Sequence, residues 1–223
     1  MTDIFDMFQL LAITFLLCIF LLKTLVLVVK YRIKPFKLGK GKKGFNAFLE
    51  LSFFPGLALW MIEVIVYSLD LGFTLFPYPF SFSLLNHSTN DVLSIANKML
   101  GVVMITFGFF LFISALFAFG QSWRIGIDMD SPGQLITGGV FAFSRNPIYL
   151  FLDLYFTGTF LLNGTLIFLL FTLITVLGLH YQIIQEEVSL EKMYGESYRS
   201  YKQSTSRYLG MRHRTGFQQR STS

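Results

Sequence analysis

The residue types able to do chemistry gather between Gly138 and Tyr201. Ser144-Arg145-Asn146-Pro147-Ile148-Tyr149 opens one apolar stretch, Gln185-Glu186-Glu187 lies near the end of another, and the two stretches meet at Asn163-Gly164. That dipeptide tolerates the backbone angles of a tight reversal, so it predicts a turn. With both stretches helical, the reversal returns Arg145 and the Glu186-Glu187 pair to one membrane surface. A cation and two carboxylates then share a wet rim beside an apolar interior. Tyr149 and Asp153 are i, i+4 neighbours on the first stretch, and His180 and Glu187, seven apart, share a face of the second. The resulting polar stripe either forms a site or satisfies itself inside the bundle.

The elements that must carry these groups follow from composition. Hydrophobic residues make up 53% of the 223 and charged residues 14%, with a mean hydropathy of +0.59, too apolar for a soluble domain of this length. The chain reads as an all-α integral membrane protein with about five transmembrane helices, the last two a hairpin. The formal charge of +5 comes from basic residues in loops and tail flanking apolar spans, so membrane topology accounts for it without nucleic acid. Cys18 is the single cysteine, lies in an apolar run and has no intrachain partner for a disulfide.

The first span is expected over Phe8 to Val29, broken only by Gln9, Lys23, Thr14 and Thr24. Asp3 and Asp6 stand where a signal peptide has positive charge, and no small-residue cleavage site follows. Lys30, Arg32, Lys34, Lys37, Lys40, Lys42 and Lys43 then form a basic loop, which places that side in the cytoplasm and the N-terminus outside. Ala47 to Leu69 is a second span with Glu50, Pro55 and Glu63, both carboxylates read as lying near the interfaces and Pro55 as a kink. Phe73 to Asp91 has no lysine or arginine and reads as an outside loop, in which His87 has no companion at metal-ligand spacing. No metal site is expected. Met99 to Phe119 is the third span. Gln121 to Arg145 is a polar connector lying on the cytoplasmic surface with Trp123 at the interface; its Gly138-Gly139 pair lacks the G-x-G-x-x-G context of a dinucleotide site. The expected division is an N-terminal membrane region over 1–120 and a C-terminal functional region over 121–223. In the latter Pro147 suits a first helical turn, a helix follows to Leu162, and its partner runs from Thr165 to about Met193.

Gly139 to Tyr149, Glu186-Glu187 with Leu190 three residues on, and Tyr194-Gly195, Tyr198 and Tyr201 together resemble the C-terminal signature of the isoprenylcysteine carboxyl methyltransferase family. Its pattern is close to R-H/N-P-x-Y-x-G, E-E-x-x-L and F/Y-G-x-x-Y-x-x-Y. Asn146 stands where eukaryotic members have histidine, and Phe151 where glycine is usual. The resemblance implies a membrane methyltransferase that takes S-adenosylmethionine on the cytoplasmic side and a lipophilic acceptor from the bilayer, a carboxylate that needs no base or an amine or thiol that does, with membrane lipids as partners and no nucleic acid. It implies a cofactor-binding set of Asn146, Pro147, Tyr149, Glu186, Glu187, Tyr198 and Tyr201: carboxylates for the ammonium or ribose hydroxyls and tyrosine faces for the sulfonium. Arg145, His180 and Arg207 form the implied catalytic set. Arg145 meets a carboxylate, His180 is the candidate base for an amine or thiol acceptor, and Arg207 holds an anionic acceptor or belongs to a basic tail with Arg199, Lys202, Arg212, Arg214 and Arg220. Either a bacterial inner membrane or the endoplasmic reticulum fits. The alternatives are a membrane NADPH-dependent reductase related to sterol reductases, which share the R-x-P-x-Y element, and a non-enzymatic membrane protein with a degenerate pocket.

Overall fold

The computed structural model describes residues 3–32, 45–85, 92–120 and 134–210. The basic loop beyond Arg32, the Glu50 side chain, His87, Trp123 with the connector to 133, and Arg212, Arg214 and Arg220 lie outside the described residues. Among the described residues six α-helices follow one another: α1 (Ile4–Leu25), α2 (Phe45–Ser68), α3 (Val92–Phe119), α4 (Pro147–Asn163), α5 (Leu166–Tyr194) and α6 (Glu196–Ser204). A π-turn, Val26–Lys30, prolongs α1, and a 3₁₀ turn, Gly139–Ala142, precedes α4. No strand of a sheet occurs among the described residues. Four helices are long and apolar enough to cross a membrane: α1 with its π-turn, α2, α3 and α5. The fifth expected span, α4, has 17 residues. At ~1.5 Å per residue it reaches ~25 Å, short of the ~30 Å hydrocarbon thickness.

Pro147 occupies the first turn of α4, where its missing N–H leaves no hydrogen bond unmade. Gly164 closes the helix in the left-handed region at φ 67°, with its N–H on the Phe160 carbonyl at 2.7 Å, and α5 begins two residues later. The expected reversal at Asn163-Gly164 is thus present. Pro55 lies inside α2, which continues through it.

The main core gathers Ile105, Phe109 and Phe112 of α3, Phe151, Tyr155 and Phe156 of α4, Phe168 of α5, Trp60 of α2 and Ala12, Ile13 and Leu16 of α1. The α3–α4 contact is the tightest in the bundle because glycines let the backbones approach. A Cβ at Gly158 would sit 2.6 Å from Ile105 Cγ1 and 2.8 Å from the Gly101 carbonyl oxygen. Small residues at a crossing are the usual means of close helix packing in membranes, where lipid offers no hydrophobic drive to bring helices together. Phe151 shows a related fit: it stacks on Phe112 with centroids 4.7 Å apart, beside the Cβ-less Gly108. The phenylalanine that replaces the family's glycine is a core residue here, accommodated by a glycine across the interface.

The two ends of the bundle are closed differently. At the α4–α5 turn, Gln9 of α1 accepts from Asn163 at 2.6 Å, and the N–H groups of Leu84 and Leu85 donate to the Gly164 carbonyl at 2.7 and 3.0 Å. Glu63 is fully buried; one of its oxygens accepts the Leu75 N–H at 2.9 Å, holding the segment after α2 against the helices. It lies five residues before the last residue of α2 and ties the chain after that helix back to it. At the other end, Lys23 Nζ donates to the Leu116 and Gly120 carbonyls at 3.2 and 2.8 Å, capping the C-terminus of α3 with a cation.

Gly158→Val forces a side chain onto Ile105 and the Gly101 backbone. Overpacking of this kind costs about 1–3 kcal/mol, so its thermal unfolding temperature in detergent should fall by several degrees. Gly56→Ala, in a helix with nothing within 4 Å of the added carbon, should leave it unchanged or slightly raised.

Candidate functional site

The start of α4, the end of α5 and the segment after α6 converge on the Glu187 carboxylate. Glu187 is 3% exposed, yet its two oxygens meet two guanidinium groups. Arg145 Nε and Nη2 donate to Oε1 at 3.1 and 2.8 Å; Arg207 Nη2 donates to Oε2 at 2.9 Å, with its Nε 3.3 Å from both oxygens. Asn146 Nδ2 adds a long contact to Oε1 at 3.4 Å and donates to the Arg207 carbonyl at 3.1 Å. A buried carboxylate is tolerable only when its lone pairs are used by good donors, and here they are.

Local geometry explains how these groups arrive. Ser144 Oγ accepts the Asn146 N–H at 3.1 Å, fixing the turn that leads into Pro147. Arg145 Nη1 donates to the Lys202 carbonyl at 3.0 Å and to the Thr205 carbonyl, and its own N–H donates to the Ser206 carbonyl at 3.0 Å. The Gly210 N–H donates to Phe143 at 3.2 Å. The stretch from Thr205 to Gly210 therefore runs alongside residues 143–146 as a strap. Arg145 has 7% of its side chain exposed and Arg207 34%, so Arg207 is the guanidinium that faces outward. Hydrogen bonding to Glu187 raises it further above the ordinary arginine value.

Beside this hub, Tyr149 donates to Glu186 Oε2 at 2.6 Å, joining α4 to α5 one residue before Glu187. Both are half-buried. Tyr198 and Tyr201 occupy a small second core with Ala115 and Phe141, their rings 6.0 Å apart and edge-on. Tyr201 donates to the Phe141 carbonyl at 2.7 Å, and burial pushes both phenols above their ordinary values, so they remain neutral. His180 lies two helical turns from Glu187, ~10 Å along α5. Its Nδ1 is 2.6 Å from the Tyr208 hydroxyl, with the rings stacked at 18°.

Of the residues singled out from the sequence, Arg145, Asn146, Glu187 and Arg207 meet at one point, Tyr149 and Glu186 form a pair against it, and Pro147 starts the helix that aligns them. Tyr198 and Tyr201 form the wall behind, and His180 sits deeper in the hairpin. Sequence reasoning gave Tyr208 no role. It is 28 residues from His180 and outside any helix, and no spacing rule links the two. Among the described residues no group of histidine, cysteine, aspartate and glutamate is arranged to hold a metal.

Residues 96–197, from the second turn of α3 into α6, match the family model described as phospholipid methyltransferase. The match spans 102 of the 223 residues. The resemblance seen in the motifs leads to the same group of membrane methyltransferases, and the match adds α3, which the motifs did not reach. Comparison with curated proteins and with solved structures gives no match. Nothing in these comparisons favours a reductase or a non-enzymatic protein.

Removing the Glu187 carboxylate leaves a buried guanidinium uncompensated. Glu187→Ala should destabilise the fold by about 3–5 kcal/mol, measured by thermal unfolding in detergent. Arg207→Ala, at the more exposed end of the network, should cost distinctly less. In a double-mutant cycle, Arg145→Ala should add little to Glu187→Ala because the two act as a unit.

Proposed function

We propose that the protein transfers a methyl group from S-adenosylmethionine to the amine headgroup of a membrane lipid, at the cytoplasmic surface. The observation that carries this reading is that the matched segment contains both walls of the α4–α5 seam and every member of the hub but Arg207, so the polar mouth and the apolar interior belong to one inherited unit. The description of the family supports a lipid acceptor, and an amine is the headgroup atom of common phospholipids able to take a methyl group. Lys30 and Arg32 end the first span at the end of the bundle where Lys23 caps α3, which is also where α4 begins, so these two basic residues share a side with the site and support a cytoplasmic mouth.

The residues at the mouth fit the donor. It carries a carboxylate, an ammonium and a sulfonium, when bound supplying a methyl carbon open to in-line displacement. Arg207, exposed over a third of its side chain, offers a guanidinium to the carboxylate. Glu186, oriented by the Tyr149 hydroxyl, offers a carboxylate to the ammonium or ribose hydroxyls, and the Tyr149 ring offers a π-face to the sulfonium. Arg145, Glu187 and Asn146 spend their hydrogen bonds on one another and serve as the frame. Tyr198 and Tyr201 back that frame from the smaller core. In this reading the protein's contribution is positioning in a water-poor seam, the main source of acceleration for a displacement of this kind.

Labelled S-adenosylmethionine should bind the detergent-solubilised protein and NADPH should not. Glu186→Gln keeps the shape but removes a charge-assisted bond, so donor affinity should fall about 10- to 100-fold with little change in unfolding temperature. Binding of NADPH in place of the methyl donor would overturn the reading.

A further inference from the structure

Asp153 is a carboxylate that the hub does not use. It sits on α4 one turn beyond Tyr149, on the same face, and therefore deeper in the seam than the Tyr149–Glu186 pair. Among the described residues its Oδ1 is buried and accepts no hydrogen bond. The seam is fixed above and below it, by Tyr149 against Glu186 and by Thr172 Oγ1 donating to the Phe156 carbonyl at 3.0 Å. Between those two pins, Asp153 lies opposite the turn of α5 that carries Gly178 and His180. Gly178 has nothing within 4 Å of the position a Cβ would occupy, so that turn of α5 leaves open space beside it. The neighbouring Leu177 and Ile174 are 68% and 70% exposed, an outward apolar face. On the strap side, Tyr208 is tied to His180. Burial raises the Tyr208 phenol above its ordinary value, and the Asp153 carboxyl group acts in the same direction.

A buried carboxylate with an unmet oxygen is unstable as an isolated anion and calls for a cation or a proton. We infer that Asp153 is the catalytic residue for the acceptor: it pairs with the lipid ammonium entering beside Gly178 and takes its proton, while His180 and Tyr208 flank the headgroup and orient it. This assignment rests on the methyltransferase reading above. The step balances. The ammonium gives one proton to the Asp153 carboxylate, and in an apolar seam the neutral amine and carboxylic acid are favoured over the ion pair. The amine lone pair forms the new N–C bond as the C–S bond breaks and sulfur leaves as a neutral thioether. The product is a methylated ammonium, and Asp153 releases its proton to water to reset.

The test uses the full chain in lipid nanodiscs and the isosteric variant Asp153→Asn, with Asp153→Glu as a second variant. Three quantities are measured: labelled donor affinity, retention of phosphatidylethanolamine relative to phosphatidylglycerol by mass spectrometry without donor, and kcat/KM for phosphatidylethanolamine methylation. Asp153→Asn should keep donor affinity within about twofold, lose the preference for the amine lipid, and lower kcat/KM by about 100-fold or more. Its unfolding temperature should hold or rise, since an unpaired buried charge has been removed. Asp153→Glu should recover part of the amine preference. Asp153→Asn methylation at the wild-type rate, or an unchanged lipid preference, overturns the assignment while leaving the methyltransferase reading intact. Loss of donor affinity in Asp153→Asn also overturns it, by moving the carboxylate to the donor. A wild-type chain that binds no donor overturns both.

Discussion

The structure depends on one buried carboxylate held by two guanidinium groups. Glu187 taken out of water alone would cost several kcal/mol, and it is retained because Arg145, Arg207 and Asn146 saturate it from three directions. Those partners come from the entrance to α4 and from the strap after α6, so compensating the charge also decides where the chain must run. Arg145 extends the effect by holding the Lys202 and Thr205 carbonyls with the remainder of its fork. Lysine could not do this: a point charge has no planar set of donors to divide between a carboxylate and two carbonyls. One carboxylate against two guanidinium groups leaves the hub with a single positive charge. The Glu186 carboxylate beside the hub balances that charge, so the mouth presents an anionic group next to a cationic one.

The hub closes one end of the bundle, and a different kind of contact closes the other. At the α4–α5 turn the work is done mainly by neutral groups, the Gln9–Asn163 amide pair and the Gly164 carbonyl shared by Leu84 and Leu85, with the Glu63 carboxyl group nearby on the Leu75 N–H. Between these ends lie aromatic side chains and glycine crossings with few polar atoms. A helix clamped at both ends and tightly packed through its middle has little freedom to slide, so the groups on the α4–α5 seam keep their register. That rigidity suits a reaction in which geometry supplies most of the rate.

The hairpin was legible in the sequence because each of its marks is local. Proline at a first turn, Asn-Gly at a reversal and apolar runs of helical length are read within a few residues, and together they bring Arg145 and Glu187 to one end. The division of labour between Glu186 and Glu187 was not legible. Adjacent identical residues look equivalent in a sequence, but a helix separates them by about 100°, which turns Glu187 into the core and leaves Glu186 on Tyr149. The strap escaped notice for another reason: an irregular segment paired backbone to side chain with residues some 60 positions earlier has no periodicity to betray it. The same holds for Tyr208 on His180. Phe151 is a third case, since its replacement of glycine made sense only once Gly108 was seen across the interface.

The unequal lengths of α4 and α5 place the site at its depth. Both start from one turn, but α4 ends its reach after 17 residues and α5 continues for 29, a difference of ~18 Å. Because Asn163 is anchored to α1 at the turn, the shortfall falls entirely at the Pro147 end. There the chain meets a ledge: α4 stops, α5 stands above it, and α6 with the strap folds down against the exposed flank of α5. A longer fourth helix would carry Arg145 beyond the turn of α5 that holds Glu187. The shortness of α4 therefore sets the Arg145–Glu187 pair against the flank of α5, seven residues before that helix ends.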